Sequence, residues 1–341
     1  MAENPLVSLC ITCYNQAEYI KESLQSAFDQ TYSPLEIVIC DDCSTDGTDR
    51  IVKEMLAEYK GQHKLVFHRN KSNLFVAKNY EQAFKMARGE LLVTGAGDDI
   101  SMPSRVEKIV EAYLASNKTA SCIVHGWTVI DKSGSEISVQ NKPWPIETQL
   151  GAVTTYRRDV VDKFMPLPMC REIYEDGVFT LRALALGVAI ELDEPLCKWR
   201  VGTGRSTGAR FQEKRRRIAR HQVLSCKIFE EEMKEFGDSL SSTMLAGAKQ
   251  VKDWRMRHYE PEYVLCAGKT MGERRRAWSQ LNMSNGWNIT FGEKWFIRAP
   301  MILPWGIGSV VECLYRFALY MRLHRILKNI CCIVRPIRGG K

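Results

Sequence analysis

The feature that most constrains the fold is an alternation of apolar runs and helical patterns through the first hundred residues. Short runs such as "VSLCITCYN" and "PLEIVICDD" are apolar until they end in polar residues. Between them, segments such as "EYIKESLQSAFDQ" place apolar residues at helical spacing. This order favours a parallel sheet that is covered by helices and joined by right-handed crossovers. We therefore expect an α/β fold with a Rossmann-like, mostly parallel sheet.

Three of the apolar runs end in polar clusters, which read "CYN", "CDDCSTD" and "GAGDD". Ligands of open α/β sheets bind outside the carboxyl ends of the strands, so these clusters should converge on one edge. Asp98 and Asp99 are adjacent carboxylates, which repel each other unless something offsets their charge. Mg²⁺ or Mn²⁺ would offset it, because these ions bind one or two carboxylates plus substrate phosphates. A solvated Asx-type turn is the alternative interpretation.

The composition is that of an ordinary globular protein, with 45% hydrophobic and 26% charged residues in a chain of 341. Twelve cysteines without a recognisable signal peptide are typical of reduced thiols in a cytoplasmic protein. The pairs Cys10/Cys13 and Cys40/Cys43 have the spacing of zinc ligands. Residues three apart in a strand point to opposite faces, so buried small apolar side chains are the favoured interpretation of the first pair.

Positive charge is concentrated in the C-terminal part of the chain. The formal net charge is +8 overall, and residues 251–341 contribute +10. From residue 309 the pattern is apolar on one face and basic on the other, which differs from an uncharged spanning helix of about 20 residues. We expect a basic helical extension over residues 211–341 that contacts the anionic inner face of the cell membrane or packs on its own domain. No nucleic-acid recognition motif accompanies the basic runs, so nucleic acid is not an expected partner.

Four segments in order resemble the family 2 glycosyltransferases with a GT-A fold: "TCYNQAEYI", "ICDDCSTDGT", "GAGDDISMPSRVE" and "YEDGVFTLRALALG". The resemblance covers about residues 5–205 and implies a catalytic, nucleotide-sugar-binding domain over residues 1–210. It also implies metal-dependent, inverting transfer of a sugar to an acceptor hydroxyl. The chain carries "CKWRVGTGRST" where processive members carry a Gln-x-x-Arg-Trp motif, so we expect a non-processive enzyme.

The resemblance assigns the donor nucleotide to residues from the first half of the chain. It implies that Thr12 and Tyr14 lie beside the base and that Asp42 accepts the N3–H of uracil, for which a carboxylate is a natural acceptor. A turn or N-cap role is the alternative for Asp42. Lys78 is expected either to reach a phosphate or to be a solvated surface lysine. A UDP-sugar is the favoured donor, and a dTDP-sugar, as in rhamnosyl transfer, offers the same N3–H.

The resemblance assigns the diphosphate to the paired aspartates and to a later loop. Asp99 is expected to bind the divalent cation directly, and Asp98 to contact the cation or the ribose. The pattern departs from the commonest form of the family because Ala96 occupies the position of its first aspartate. Arg200 and Arg205 lie in "WRVGTGRSTG" and are expected either to add positive charge as this loop closes or to belong to an ordinary surface loop.

The catalytic base of the family matches Asp176 in "YEDG", and Glu175 is expected to orient it or to contact the acceptor. Helix N-terminal stabilisation is the alternative for both residues. The loop "WRVGTGRST" resembles those of bacterial O-antigen and capsule enzymes, which implies a lipid-linked saccharide acceptor. Two other classes stay open: a nucleotidyltransferase, although its usual Gly-rich phosphate loop is missing, and a non-catalytic binding protein on the same scaffold, which would be expected to lose Asp176 or the paired aspartates.

Overall fold

The computed structural model describes residues 4–143, 151–164, 166–167, 170, 173–203 and 211–267, with side chains described for 217–260 of the last range. Its strands are β1 (Val7–Cys13), β2 (Leu35–Asp41), β3 (Lys64–Arg69), β4 (Leu91–Ala96), β5 (Ile100–Ser101), β6 (Ala120–Ile130), β7 (Glu136–Gln140), β8 (Thr154–Arg157) and β9 (Val188–Arg200). Its helices are α1 (Ile20–Phe28), α2 (Thr48–Glu58), α3 (Val76–Met86), α4 (Arg105–Ala115), α5 (Asp159–Asp162), α6 (Glu175–Leu186), α7 (Phe211–Phe236) and α8 (Ser242–Ala267). The predicted alternation of strands and helices is confirmed.

The strands form one mixed sheet in the order β3-β2-β1-β4-β8-β6-β9-β5, with β7 paired to β6. Its first four strands in this order, β3 to β4, are parallel throughout, as the sequence predicts. Beyond them β8 runs antiparallel to both β4 and β6, whereas β6 and β9 pair in parallel. The parallel half follows from the helical crossovers between consecutive strands, because parallel neighbours need such long connections.

Helices cover both faces of the sheet, and β1 shows the consequence most clearly. All seven of its residues are buried, as expected for a parallel strand with a helix layer on each side. Cys10 packs in a cluster with Phe84, and Cys13 packs in a separate cluster with Leu24. The two thiols therefore point to opposite faces and cannot share a metal ion, which confirms them as buried apolar side chains.

The chain divides into two compact units. The first comprises Met1–Arg210 and Arg217–Tyr259, and the second comprises Phe211–Arg216 and Glu260–Lys341. The sequence predicts a division at residue 210. In the structure, part of α7 and α8 belongs to the first unit, where Phe229 and Val251 pack against Leu181 of α6. No helix in the described part of the chain combines the length and apolarity needed to cross a bilayer. The amphipathic region predicted from residue 309 lies outside the described residues.

Candidate active site

The carboxyl ends of β1, β2 and β4 lie at the same level of the sheet, because β1 pairs with both neighbours through its last residues. Immediately beyond the strands, the Asp42 N–H donates to the Cys13 carbonyl at 2.9 Å. The Gly97 N–H likewise donates to the Thr12 carbonyl at 3.0 Å. The three polar clusters are thus brought together at one edge, where the sequence places them.

The Asp42 carboxylate is buried and organises the loop after β3. Its Oδ1 accepts the Leu74 N–H at 2.7 Å and the Asn70 side-chain amide at 2.9 Å. Its Oδ2 accepts the Phe75 N–H at 2.9 Å. Because a carboxylate has about four acceptor positions, these three bonds leave capacity for one more donor. Asp42 therefore shapes a loop and can still receive an N–H from a ligand.

Backbone donors tie the loop after β1 to the loop after β2. The Asn15 N–H donates to Ser44 Oγ at 2.9 Å, and the Ala17 N–H donates to Asp46 Oδ2 at 2.9 Å. Between these ties and the strand, the Tyr14 side chain is 45% exposed. An aromatic ring that stands exposed on a braced loop can stack on a planar ligand.

Asp98 and Asp99 form the turn after β4, and the end of β9 holds that turn. The Arg200 N–H donates to Asp99 Oδ1 at 2.8 Å, and Arg200 Nε donates to the Asp98 carbonyl at 2.9 Å. The Thr203 hydroxyl donates to Asp98 Oδ2 at 2.7 Å. One oxygen of each carboxylate is thereby engaged by the β9 segment.

Arg200 is the buried last residue of β9, whereas the sequence predicts it in a loop that either closes over the site or is an ordinary surface loop. Its Nη1 donates to the Asp131 and Lys132 carbonyls at 3.1 Å each, and its Nη2 pairs with Glu22. Its guanidinium also lies 4.9 Å from the centre of the Tyr19 ring. A guanidinium with so many fixed partners braces the aspartate turn, because swinging outward would break all of these contacts.

The Asp98–Asp99 pair offers two adjacent carboxylates, which are the kind of donor that Mg²⁺ or Mn²⁺ prefers. Burial raises the pKa of Asp98, and burial together with the Asp98 charge raises the pKa of Asp99 well above its usual value. A positive charge beside the pair would favour the ionisation of both carboxylates. Within the described residues, no cluster of three or more His, Cys, Asp or Glu could hold a metal ion. The donor type of the pair therefore fits a divalent cation, which would need further ligands from elsewhere.

Tyr80 of α3 connects the aspartate turn with the second acidic pair. Its buried phenol donates to the Gly95 carbonyl at 2.7 Å and is hydrogen-bonded to the Thr12 side chain. Burial, followed by the charges of Glu175 and Asp99, raises the pKa of Tyr80 well above its usual value. The Thr94 hydroxyl of β4 donates to the Gly151 carbonyl, and Gly151 lies against the Glu175 carboxyl group, so the two acidic pairs lie at one site.

Glu175 and Asp176 occupy the first turn of α6, as the sequence predicts. Glu175 lies against Gly151, where any Cβ would overlap its carboxyl group. Burial and the neighbouring Asp176 charge raise the pKa of Glu175 to about 8, so this carboxyl group is protonated at neutral pH. Asp176 is more accessible, and its Oδ1 lies 3.0 Å from Nε2 of His221 on α7.

The remaining predicted site residues lie elsewhere or outside the described part. Lys78 of α3 places its Nζ 2.7 Å from the buried carboxylate of Glu81, so a phosphate would compete with that pair. A phosphate contact of Lys78 stays a prediction. Arg205 lies outside the described residues.

Three residues of the site are missed by sequence reasoning: Tyr80, Arg105 and His221. Arg105 is fully buried beneath the aspartate turn, where its Nη2 donates to the Thr94 carbonyl and its Nε donates to His125, at 2.8 and 2.9 Å. Each of the three lies in a helix and meets the site only through tertiary packing. Arg105 stands within the segment "GAGDDISMPSRVE", which carries the resemblance, whereas no local sequence signal marks Tyr80 or His221.

Comparison with known proteins identifies the family of the N-terminal part of the chain. Residues 8–164 match the family "Glycosyl transferase family 2". These residues belong to glycosyl transferase family 2. The match spans β1 to α5 and includes the Asp42 and Asp98–Asp99 segments of the site. The expected resemblance to the family 2 glycosyltransferases is thereby confirmed for this part of the chain.

Relatives of this family 2 domain come from several bacteria. EpsE of Bacillus subtilis, named as a glycosyltransferase, is 36% identical over 134 residues, which are 39% of this chain and 47% of EpsE. A chondroitin synthase of Escherichia coli is 33% identical over 142 residues, which are 42% of this chain and 20% of that protein. The chain thus spans less than half of the length of either relative.

Two solved structures share the fold over most of the chain. Residues 1–349 of S. aureus TarS, in complex with UDP-GlcNAc, match with a TM-score of 0.55 at 18% identity, covering 92% of each chain. The mannosyltransferase PcManGT from Pyrobaculum calidifontis, in complex with GDP-Man and Mn²⁺, matches with a TM-score of 0.53 at 16% identity, covering 92% of this chain and 88% of PcManGT. At these identities the likeness shows the fold alone.

Proposed function

We propose that this chain is an inverting, non-processive, metal-dependent glycosyltransferase that moves a sugar from a UDP-sugar to a hydroxyl of a saccharide acceptor. One observation carries the proposal: the two acidic pairs lie at the sheet edge that also bears Asp42. The Thr94 hydroxyl of β4 donates to the Gly151 carbonyl, and Gly151 lies against the Glu175 carboxyl group. This edge offers a hydrogen-bond acceptor for the nucleobase, carboxylates for a cation, and a general base for the acceptor hydroxyl. Sugar transfer from a nucleoside diphosphate needs these three groups.

The donor is a uridine nucleotide in this proposal. Asp42 has one acceptor position left for the N3–H of uracil, and the exposed Tyr14 ring can stack on the base. The neighbouring structures with UDP-GlcNAc and GDP-Man support a nucleotide-sugar as the donor class. Thymine carries the same N3–H, so a dTDP-sugar is the second candidate donor.

A divalent cation would be held by Asp99, with Asp98 beside it. PcManGT is described with Mn²⁺, which supports the same class of cation here. When bound, such an ion stabilises the negative charge that develops on the departing diphosphate. Arg200 maintains the turn that presents both carboxylates, because it holds Asp99 Oδ1 and the Asp98 carbonyl.

Asp176 acts as the general base. It takes the proton of the acceptor hydroxyl while the hydroxyl oxygen attacks the anomeric carbon. The new bond forms on the face opposite the bond to the diphosphate oxygen, which breaks, so the configuration inverts and the nucleoside diphosphate leaves. The protonated Glu175 beside it can donate a hydrogen bond to a sugar hydroxyl, since burial keeps its carboxyl group neutral.

The acceptor in this proposal is a lipid-linked saccharide of cell-surface polysaccharide synthesis, as in O-antigen or capsule pathways. A chondroitin synthase among the relatives supports a saccharide product. The net charge of +10 over residues 251–341 supports a peripheral position at the anionic inner face of the cell membrane.

Thermal stabilisation by nucleotides tests the proposal. UDP, dTDP, GDP and CDP are added to the purified full chain, each with and without Mn²⁺, and the measurement is repeated with Asp98→Asn/Asp99→Asn. UDP at 100 times its Kd should stabilise the folded chain by about 2.7 kcal/mol, only when Mn²⁺ is present and only in the wild type. The exposed Asp193→Asn is the matched control and should behave as the wild type.

Each failure has a separate meaning. If none of the four nucleotides stabilises the wild type with or without Mn²⁺, the glycosyltransferase proposal fails. If UDP stabilises the wild type and the double variant equally without Mn²⁺, the cation site is wrong. If GDP or CDP alone stabilises the chain, the assignment of Asp42 to a uracil N3–H is wrong.

A further inference from the structure

The second acidic pair has a partner that the proposed chemistry has not used. His221 of α7 is 4% exposed, and its Nε2 lies 3.0 Å from Asp176 Oδ1. The two residues are 45 positions apart in the chain and meet because α7 packs against α6. The pair does not form a hydrogen bond in this structure, although the two atoms lie 3.0 Å apart.

The surroundings of the imidazole define which nitrogen carries its proton. The Tyr174 N–H donates to His221 Nδ1 at 3.1 Å. The Ser225 hydroxyl donates to the His221 carbonyl at 2.9 Å. Because a backbone N–H can only donate, Nδ1 must accept, and the proton of the neutral ring resides on Nε2. The nitrogen that carries the proton is therefore the one that lies 3.0 Å from Asp176 Oδ1.

Gly177 makes this approach possible. A Cβ at this position would overlap the His221 ring and the Ser225 hydroxyl. Gly177 follows Asp176 directly, so the one position in α6 without a side chain is the one on which the imidazole rests. The "YEDG" segment thus combines the acidic pair with the space that its histidine partner occupies.

Other charged and titratable groups also face Asp176. Glu175 precedes it in α6, and the Tyr156 phenol of β8 lies within its field. Arg255 of α8 is fully buried, and its Nη1 donates to the Gly177 carbonyl at 2.7 Å. The Asp176 charge also acts on the Arg255 guanidinium. The His221 Nε2 atom lies 3.0 Å from the Asp176 carboxylate.

We propose that His221 is a positioning residue for Asp176: when the acceptor binds, its Nε2–H donates to Oδ1, so that Oδ2 is presented to the acceptor hydroxyl. This inference rests on the proposed function and assigns a further residue to it. The 3.0 Å contact is expected to become a hydrogen bond in the substrate complex, since catalytic hydrogen bonds are commonly poorly aligned before the substrate binds. Asp176 takes the acceptor proton on Oδ2.

The first test replaces His221 by two amides that differ in reach. Gln can place an N–H near the position of Nε2, whereas the shorter Asn reaches only the position of Nδ1. His221→Asn should lower kcat by about 10- to 100-fold, as is typical when a group that orients a functional residue is lost, with UDP binding unchanged. His221→Gln should retain most of kcat. His258→Gln on α8, where His258 contacts Trp254, is the matched control.

Two further results would show that His221 acts through Asp176. Adding His221→Asn to Asp176→Asn should cost no additional activity, because residues that act as a unit are not additive. The positioning role is overturned if His221→Gln and His221→Asn lose the same activity. It is also overturned if the fold-loss of the double variant Asp176→Asn/His221→Asn equals the product of the two single fold-losses. A structural role alone would lower the stability of both amide variants alike.

A second measurement reads the contact without any turnover. The chain has six histidines, and ¹⁵N labelling with NMR distinguishes the two tautomers of each ring. His221 should carry its proton on Nε2, and Asp176→Asn should shift its signals more than those of the other histidines. A proton on Nδ1, or no response to Asp176→Asn, would overturn the inference.

The two measurements also separate this inference from the proposed function. If the wild type turns over none of a panel of UDP- and dTDP-sugars, the proposed function fails, and the catalytic part of the inference fails with it. If the wild type is active but the amide variants or the tautomer contradict the prediction, only the role of His221 fails.

Discussion

The candidate active site contains two pairs of acidic residues, each pair adjacent in sequence, and the two pairs have different hydrogen-bonding surroundings. Asp98 and Asp99 form a turn after a strand, and the end of β9 holds one oxygen of each. Glu175 and Asp176 open a helix, and the packing of α7 brings His221 to Asp176. The first pair is braced mainly by backbone and hydroxyl groups, whereas the second is accompanied by a titratable side chain.

This difference separates the chemistry of the two pairs. Burial raises the pKa of both Asp98 and Asp99, and a bound cation, as proposed, would favour the ionisation of both carboxylates. In the second pair burial raises the pKa of Glu175 to about 8, which leaves a neutral acid beside the proposed base. In the proposed function, the same kind of dipeptide would hold a cation at one position and form an acid–base pair at the other.

The largest expected effect comes from removing the charge of the first pair. Asp98→Asn/Asp99→Asn should lower turnover of the UDP-sugar by at least about 100-fold, since charge stabilisation of the leaving group is a large term in such reactions. Turnover is measured as UDP release at saturating Mn²⁺. Turnover within a factor of about three of the wild type would remove the distinction between the two pairs.

Next in size is the effect of removing the brace of the first pair. Arg200→Ala leaves the Asp98, Asp131 and Lys132 carbonyls without their donor and should lower the free energy of unfolding by about 3 kcal/mol. Urea unfolding measures this loss. Glu22→Gln, which weakens only the half-exposed partner, should cost less than about 1 kcal/mol. Equal losses in the two variants would contradict a bracing role for Arg200.

A smaller effect tests the packing of the second pair. Ala is favoured over Gly in a helix by about 1 kcal/mol, but a Cβ at Gly177 would overlap His221. Gly177→Ala should therefore destabilise the chain by about 1 to 3 kcal/mol. Gly247→Ala is the matched control on α8, because no atom lies within 4 Å of its Cβ position, and it should stabilise. A stabilising Gly177→Ala would show that His221 does not rest on this position.

The smallest expected change in stability at neutral pH is that of Glu175→Gln, since the Gln side chain resembles the protonated acid. Between pH 4.5 and about 8 the folded state retains a Glu175 proton that the unfolded state has released. The stability of the wild type therefore falls as the pH rises through this window, and Glu175→Gln removes that slope. Urea unfolding at pH 5.5 and 8.5 should show that the free energy of unfolding of the variant, relative to that of the wild type, is higher at pH 8.5 than at pH 5.5. A constant difference would mean that Glu175 is ionised in the folded chain at both pH values.

The sequence predicts the elements that carry the site better than the contacts within it. Apolar periodicity reports which residues are buried, so the strand ends before Asp42 and Asp98 and the helix that begins at Glu175 are predicted and found. It does not report which distant side chains meet. For that reason Arg200 is predicted in a loop but lies buried at the end of β9, and the contact between Asp176 and His221 is not predicted at all.

The most direct test of the account is the rate of UDP release by Asp176→Asn relative to the wild type, with the Kd for UDP measured in the same preparation. The donor is the UDP-sugar that the wild type turns over fastest. The account predicts an unchanged Kd and a rate at least about 100-fold lower, as expected for loss of a general base. A variant that releases UDP at the wild-type rate would contradict the assignment of Asp176 as the catalytic base.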